Sequence, residues 1–354
     1  MIDKKSIYRT IEGTPLNLPA RVLYHSLRHS RNGLSTARGV LGERSSFVRR
    51  VTQIHSHSES LSSVAVPDSA QSTLCDGWVE IPKAVRLSPG FWQPYLYHSP
   101  DDQLFRCYYE YRGHKRNWHI GLTTSDSIIG PYIDHHFPIL SPSGEPGTPD
   151  EKCVADPTVL HFPEKDPEWY MWFDMMDRDG VWRLGIATSN NGKDWEKHTE
   201  EDGTTAVVLD VGEEGEWDDE MVHAPESFVY NDKVRLIYNA KGSGHEEYSG
   251  GLAVATDPEG MGYEFEKYGM TTAGETVTGG SNVRIKPPVE IDGDLYALHS
   301  RDTWGLADFC RSTDGCESWE HICSFDHHWM NSIEKIDGRL VGIGANGSVY
   351  VRVV

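Results

Sequence analysis

The sequence predicts an all-β protein, a five-bladed β-propeller with an N-terminal extension, and three observations support this fold class. From about residue 77 onward, short strand-like runs alternate with Gly, Asp, Asn and Pro turns. One block returns along the chain: a proline at the head of a strand, a hairpin, and a strand of small residues. No long amphipathic helical pattern interrupts this texture.

The repeated block is clearest in three copies, at Pro94, Pro157 and Pro225, which are 63 and 68 residues apart. Each copy continues into an aromatic second strand, FRCYYEY, WYMWFD or VRLIYNA, and then into HIGLTTSD, LGIATSN or GLAVATD. A fourth copy ends in DFCRSTDG. One propeller blade needs four short strands, and the chain from residue 77 holds about five such blades. A β-sandwich is the alternative, but it does not explain the periodic return of the block.

The end of the chain predicts how the propeller closes. The last segment, HHWMNSIEKIDGRLVGIGANGSVYVRVV, contains an Asp-Gly hairpin turn between two strand candidates. An early strand such as GWVEIPKAVRL completes this last blade, and the closure removes free sheet edges.

The first part of the chain differs in composition. Residues 1–50 hold ten Lys and Arg against three Asp and Glu, and residues 55–75 hold seven Ser. We therefore predict a basic N-terminal arm and Ser-rich linker over residues 1–76, followed by the propeller over 77–354. The basic arm is the candidate contact for a protein partner.

The charge balance excludes several classes of partner. The net charge of −21 repels nucleic acid and anionic membrane surfaces. No run of about 18 apolar residues predicts membrane insertion, and the N-terminus shows no secretory signal, so the cytoplasm is the default expectation. Six cysteines lack metal-binding spacing, which favours free thiols or one disulfide.

The repeated proline also indicates a site. The first strand of each blade lines the central axis of a propeller, so the residues around the prolines are expected to converge in one funnel. Gln93, Asp156 and His223 lie one or two positions before the three prolines. The proline fixes the strand entry, and Asp156 is presented to the funnel.

Several segments resemble the five-bladed propeller glycosidases, which include glycoside hydrolase families 32, 43, 62, 68, 117 and 130. These segments are ADPTVL, GIATSNNGKDW and GEWDDEMVHAPESF, and the likeness covers about residues 80–354. The resemblance implies a funnel that binds a carbohydrate, requires no cofactor and usually carries three acidic residues.

The acidic residues depart from the family 43 pattern, which has an Asp before the proline in two blades and a Glu two residues before it in the third. Only Asp156 matches, because Gln93 and His223 occupy the other positions. Glu226, directly after the third proline, and the nearby Glu220 and Asp219 offer carboxyl groups that could pair with Asp156.

His223 is the alternative general acid, because the resemblance to family 117 includes a histidine in that role. The catalytic candidates are therefore Asp156, His223 and Glu226. Two functions lead: a glycoside hydrolase, and a catalytically inactive carbohydrate-binding propeller of the receptor-binding or glycan-assembly kind. A scaffold propeller for protein partners is a third class, and only the basic N-terminal arm favours it.

Further residues complete the predicted site. The candidate substrate-binding residues are Trp92, Gln93, Arg284, His299, Arg301 and Trp329. His328 matches a family 43 histidine near a central ion, so it is the candidate metal residue. That ion would be calcium or another cation that prefers oxygen ligands, reached through water.

Overall fold

The computed structural model describes residues 74–81, 84–85, 91–99, 101–113, 117–135, 138–244, 247–271, 284–300, 307–325, 330–344 and 347–352. The chain divides after Asp68 into two units, and all of these residues belong to the second, Ser69–Val354. Within these ranges the structure consists of strands and their connections, which confirms the all-β class. It contains no helix there that could cross a membrane. The predicted arm lies almost wholly outside the described residues, and its boundary at residue 76 stays a prediction.

The described strands follow the sequence repeat. The first repeat contains β2 (Phe91–His98), β3 (Phe105–Arg112), β4 (Trp118–Ser125) and β5 (Ile133–Asp134). The second contains β6 (Cys153–His161), β7 (Trp169–Met176), β8 (Trp182–Ser189) and β9 (Glu196–Lys197). The third contains β10 (Met221–Tyr230), β11 (Lys233–Lys241), β12 (Ser249–Ala255) and β13 (Phe265–Met270). The fourth contains β14 (Arg284–Ile285), β15 (Val289–Ile291), β16 (Asp294–Ser300), β17 (Ala307–Ser312) and β18 (Glu320–Phe325).

The fifth repeat combines both ends of the described chain. It contains β19 (Met330–Ile336), β20 (Arg339–Gly344), β21 (Val349–Arg352) and β1 (Trp78–Ile81). β1 pairs antiparallel with β21, from Trp78 opposite Arg352 to Ile81 opposite Val349, as the sequence predicts. Pairing joins the described strands into three sheets, one of β1 and β19 to β21, one of β2 to β13, and one of β14 to β18. Within the second sheet, single parallel pairs, Trp118 with Cys153 and Met221 with Trp182, link three antiparallel repeats.

A glycine opposite an aromatic ring explains the small-residue third strands. Gly185 lies opposite Phe173 in the second repeat, and a Cβ added there would stand 3.0 Å from the phenyl ring. Gly121 has the same relation to Tyr109, and a Cβ there would come within 2.6 Å of the phenol ring. The glycines therefore make room for the aromatic second strands, so two parts of the repeated motif depend on each other.

The apolar core lies between neighbouring repeats. Trp172 of the second repeat is fully buried in a cluster that also holds Leu236 and Tyr238 of the third. Phe309 of the fourth repeat shares a cluster with Tyr350 of the fifth. Each repeat therefore buries its faces against its neighbours, as the blades of a propeller do.

The sequence left open whether any of the six cysteines form a disulfide, and the structure shows that two of them do. Cys75 and Cys323 form a disulfide across a sequence separation of 248 residues. The other four cysteines, Cys107, Cys153, Cys310 and Cys316, are buried and are not disulfide-bonded.

Candidate functional site

One residue from each repeat lines a single hollow. These residues are Gln93, Asp156, Ala224, Lys286 and Asn331. The first four directly precede a proline, and the fifth is followed by a serine. The enclosed volume of the hollow is about 20 Å³, which is room for about one water molecule. In four of the five repeats, the residue before the proline therefore faces this hollow.

A backbone bulge orients three of these residues. Gln93, Asp156 and Ala224 have φ angles of 44°, 42° and 49°, in the left-handed region. At each of these positions the pairing of the first strand with the second strand shifts register. A non-glycine residue in this conformation costs roughly 1–2 kcal/mol, and such strain often accompanies functional sites.

The second strands hold the bulges in place through the neighbouring repeat. Asp174 accepts the backbone N–H of Ala224 through Oδ1 at 2.7 Å. Glu110 accepts the backbone N–H of Asp156 in the same way. Asn239 accepts the N–H of Ile285 at 3.2 Å. An acceptor at the same place in three consecutive second strands thus positions the first strand of the next repeat.

Asp156, Asp174 and His223 form the most compact polar cluster. His223 Nδ1 lies 3.9 Å from Oδ2 of Asp156 and 3.9 Å from Oδ2 of Asp174. The two carboxyl groups are also hydrogen-bonded to each other. Nε2 of His223 is buried and has no hydrogen-bond partner in the structure described.

The environments of these carboxyl groups give them different charges. Burial raises the pKa of Asp174 well above its ordinary value, and the charge of Asp156 adds to this effect. Burial also opposes ionisation of Asp156, but His223 and the Lys286 cation outweigh it and hold the pKa of Asp156 below its ordinary value. Asp156 is therefore the ionised member, and Asp174 keeps its proton and donates it.

Two more carboxyl groups are held in the protonated state. Burial raises the pKa of Glu226 well above its ordinary value, although Lys286 acts in the opposite direction. Burial likewise raises the pKa of Glu110, with Asp156 as the next cause. Glu226 lines the hollow, so a protonated and an ionised carboxyl group face the same space.

The imidazole of His223 is neutral at pH 7. Burial is the largest influence and lowers its pKa, although Asp156 partly opposes the effect. A neutral ring is a weaker proton donor than a protonated carboxyl group. Glu226 therefore has the better properties for a general acid.

The predicted substrate-binding residues have different surroundings. Trp92 precedes Gln93 on β2 and is 46% exposed, but it does not line the hollow. Arg284 stacks over Tyr248 at 4.3 Å, and Tyr248 contacts the ring of His223. His299 is buried edge-on against Trp319, and burial lowers its pKa to about 3. His299 does not line the hollow. The predicted residues Arg301, Trp329 and His328 lie outside the described residues.

Sequence reasoning missed four residues of the site: Glu110, Asp174, Lys286 and Asn331. The repeat contained a signal for the first two, because a polar residue follows an aromatic one in YYEY, WFDM and IYNA. Lys286 was also detectable, since Lys-Pro in the fourth repeat parallels Asp-Pro in the second.

One group of residues could hold a cation. A ligand atom from each of Asp156, Asp174 and His223 lies within 4.8 Å of the other two. Two carboxylates and an imidazole suit a transition metal better than calcium, which prefers oxygen ligands. The predicted calcium position at His328 is outside the residues that the structure describes.

Comparison with known proteins agrees with this architecture. No family model and no curated protein matches the sequence. A family 117 glycoside hydrolase from Zobellia galactanivorans is similar in structure, with a TM-score of 0.59, 15% identity, and coverage of 77% of this chain and 89% of that one. An endo-arabinase from Bacteroides thetaiotaomicron has a TM-score of 0.54, 14% identity, and coverage of 77% and 96%.

A third solved structure is also similar to this chain. An α-L-arabinofuranosidase from Lactobacillus brevis gives a TM-score of 0.51 at 13% identity, with coverage of 75% of this chain and 88% of that one. At these identities the similarity concerns the fold. The chain has the propeller fold of these glycoside hydrolases, and the resemblance predicted from the sequence is confirmed at that level.

Proposed function

We propose that the hollow binds a carbohydrate and cleaves a glycosidic bond, with Glu226 as the general acid and Asp156 as the ionised carboxylate. One observation carries this proposal. Two carboxyl groups that line one hollow have pKa values displaced in opposite directions. Such a pair supplies the acid and the base that glycoside hydrolysis needs.

The chemistry assigns one step to each group. Glu226 transfers its proton to the glycosidic oxygen as the bond from that oxygen to the anomeric carbon breaks. Asp156 then either takes a proton from the water that adds to the anomeric carbon or attacks that carbon itself. In the second case a water molecule releases the sugar in a later step. The anomer first formed, observed by NMR, distinguishes inversion from retention.

The remaining residues orient the substrate and Asp156. His223 and Lys286 keep Asp156 ionised, and Asp174 donates a hydrogen bond to it. Tyr95 lines the hollow, and Trp92 offers an exposed ring on the same strand. Aromatic faces of this kind pack against the apolar face of a sugar ring.

Carbohydrate binding without cleavage is the second candidate. It is favoured by Gln93, an amide that cannot accept a proton from water, in the first repeat. It is also favoured by the buried Lys286, whose charge partly compensates Asp156.

A glycan array and a hydrolysis screen on the same sample test the two candidates. We expect turnover in wild type, its loss in Glu226→Gln and Asp156→Asn, and retained binding in both. Glu264→Gln, an exposed position on a different part of the third repeat, is the control. Binding by wild type without turnover of any glycan would select the second candidate.

A further inference from the structure

Lys286 is a buried cation without a direct partner. Its side chain lines the hollow, and the residue is 8% exposed. Among the described residues, no hydrogen bond or ion pair within 4.0 Å reaches its ammonium group. A buried charge without such a partner is costly, since its hydration is lost and not replaced.

A second cation lies two residues away. Arg284 stacks on Tyr248 and, like Lys286, forms no ion pair with any residue that the structure describes. Its charge lowers the pKa of both Lys286 and His223, although burial is the largest cause in each case. The two cations therefore share one electrostatic environment next to the hollow.

The carboxyl groups that share the hollow do not pair directly with Lys286. Asp156 and Glu226 line the same hollow, but among the described residues no ion pair within 4.0 Å joins either of them to its ammonium group. Two cations without an ion-pair partner in the described part of the chain thus lie at or next to one hollow, in a protein whose net charge is −21. A local positive excess in so acidic a protein is suited to an anion.

We propose that the hollow selects a sugar that carries an anionic substituent, a carboxylate as in a uronic acid or a sulfate ester, with Lys286 as the residue that binds it. The inference rests on the proposed function for the presence of a sugar, but it concerns binding and not cleavage. Lys286 supplies up to three N–H donors to the anion. A charge-assisted bond formed inside the hollow compensates the lost hydration of the ammonium group.

The experiment measures binding of matched sugars by saturation-transfer NMR and titration, without reference to turnover. The pairs are D-galacturonate with D-galactose, D-glucuronate with D-glucose, and D-galactose 6-sulfate with D-galactose. Inorganic phosphate is a further probe, because it carries the charge without the sugar. We expect wild type to prefer at least one anionic member by about 10- to 100-fold, as bonds to charged groups allow.

Three variants assign the preference to Lys286. Lys286→Met removes the charge at similar length, and we expect it to abolish the difference in affinity between the two members of each pair. Lys286→Arg keeps the charge and should retain a preference. Lys193→Met is the control, because Lys193 is an exposed lysine in a turn of the second repeat.

Thermal stability with and without ligand provides a second readout, because a ligand that binds the folded state raises the melting temperature. The anionic member of a pair should raise the melting temperature of wild type more than its neutral partner does, and this difference should be absent in Lys286→Met. Equal shifts by both members of every pair in wild type overturn the proposal.

The outcomes separate this inference from the proposed function. Equal binding of each anionic and neutral pair in wild type overturns the inference, even if a neutral glycan is cleaved. Phosphate that binds as tightly as the anionic sugars, dependent on Lys286, overturns the claim that the sugar carries the anion. A preference for anionic sugars without turnover supports the inference and rejects the hydrolase assignment.

Discussion

Asn331 donates its side-chain Nδ2–H to Oε1 of Gln93 at 2.7 Å, and this bond joins the fifth repeat to the first. We expect Gln93→Ala to lower the free energy of unfolding by about 1 kcal/mol, because the bond is lost and a partly buried donor is left without its acceptor. Gln93→Glu keeps an acceptor at the same length and is the matched control. Urea denaturation measures both, and an unchanged midpoint for Gln93→Ala would show that the bond contributes nothing to closure.

The pH dependence of turnover follows from the two displaced carboxyl groups. Activity should be lost as the pH falls through the lowered pKa of Asp156, because the carboxylate becomes protonated. It should also be lost as the pH rises through the raised pKa of Glu226, because the acid loses its proton. The kcat/KM profile is then bell-shaped, and its basic limb lies well above the ordinary range of a glutamate. A basic limb that persists in Glu226→Gln would assign the acid to another residue.

Glu334 predicts a pH-dependent stability. Burial raises its pKa from 4.5 to about 8, although its carboxylate accepts the backbone N–H of His98 at 3.0 Å. The folded state therefore binds a proton that the unfolded state loses. This contribution is fully present below pH 4.5 and is lost as the pH rises towards 8.

Glu334→Gln tests this contribution. The amide keeps an acceptor for His98 and does not titrate. We expect the variant to gain stability relative to wild type between pH 5 and pH 8, as measured by urea denaturation at each pH. Parallel stability curves for the two proteins would contradict the raised pKa.

The disulfide between Cys75 and Cys323 should stabilise the closed fold. It cross-links positions 248 residues apart, so it restricts the unfolded chain strongly. Replacing both cysteines by serine is expected to cost ~2–4 kcal/mol. A reductant should cause the same shift in wild type and none in the double variant. An equal response of both proteins to the reductant would assign the effect to other groups.

The Pro-centred repeat let the sequence predict the fold class and some of the residues that line the hollow. Gln93 and Asp156 both line it, because a repeated local motif places equivalent residues at equivalent points. The third repeat was harder to align with the other two from the sequence. Ala224, and not His223, occupies the position before the proline, and His223 reaches Asp156 from one residue earlier.

Charge states could not be predicted from the sequence. The sequence does not show whether a glutamate after a proline is solvated or buried. Only the packed structure shows that burial raises the pKa of Glu226 and favours its protonated form. The partners of Asp156 were also hidden, since Asp174 and Lys286 reach it from other strands. The position of His299 in a strand was predictable from the sequence, but the burial of its side chain against Trp319 was not.

The most direct test of the central claim is the turnover of Asp156→Asn on a glycan cleaved by wild type. We expect a rate about 100- to 10,000-fold lower, because the amide cannot act as the ionised carboxylate. Sugar binding should persist, since an amide still forms hydrogen bonds with hydroxyl groups. Turnover equal to that of wild type and of the Glu264→Gln control would contradict the account and leave Asp156 with a structural role at the head of its strand.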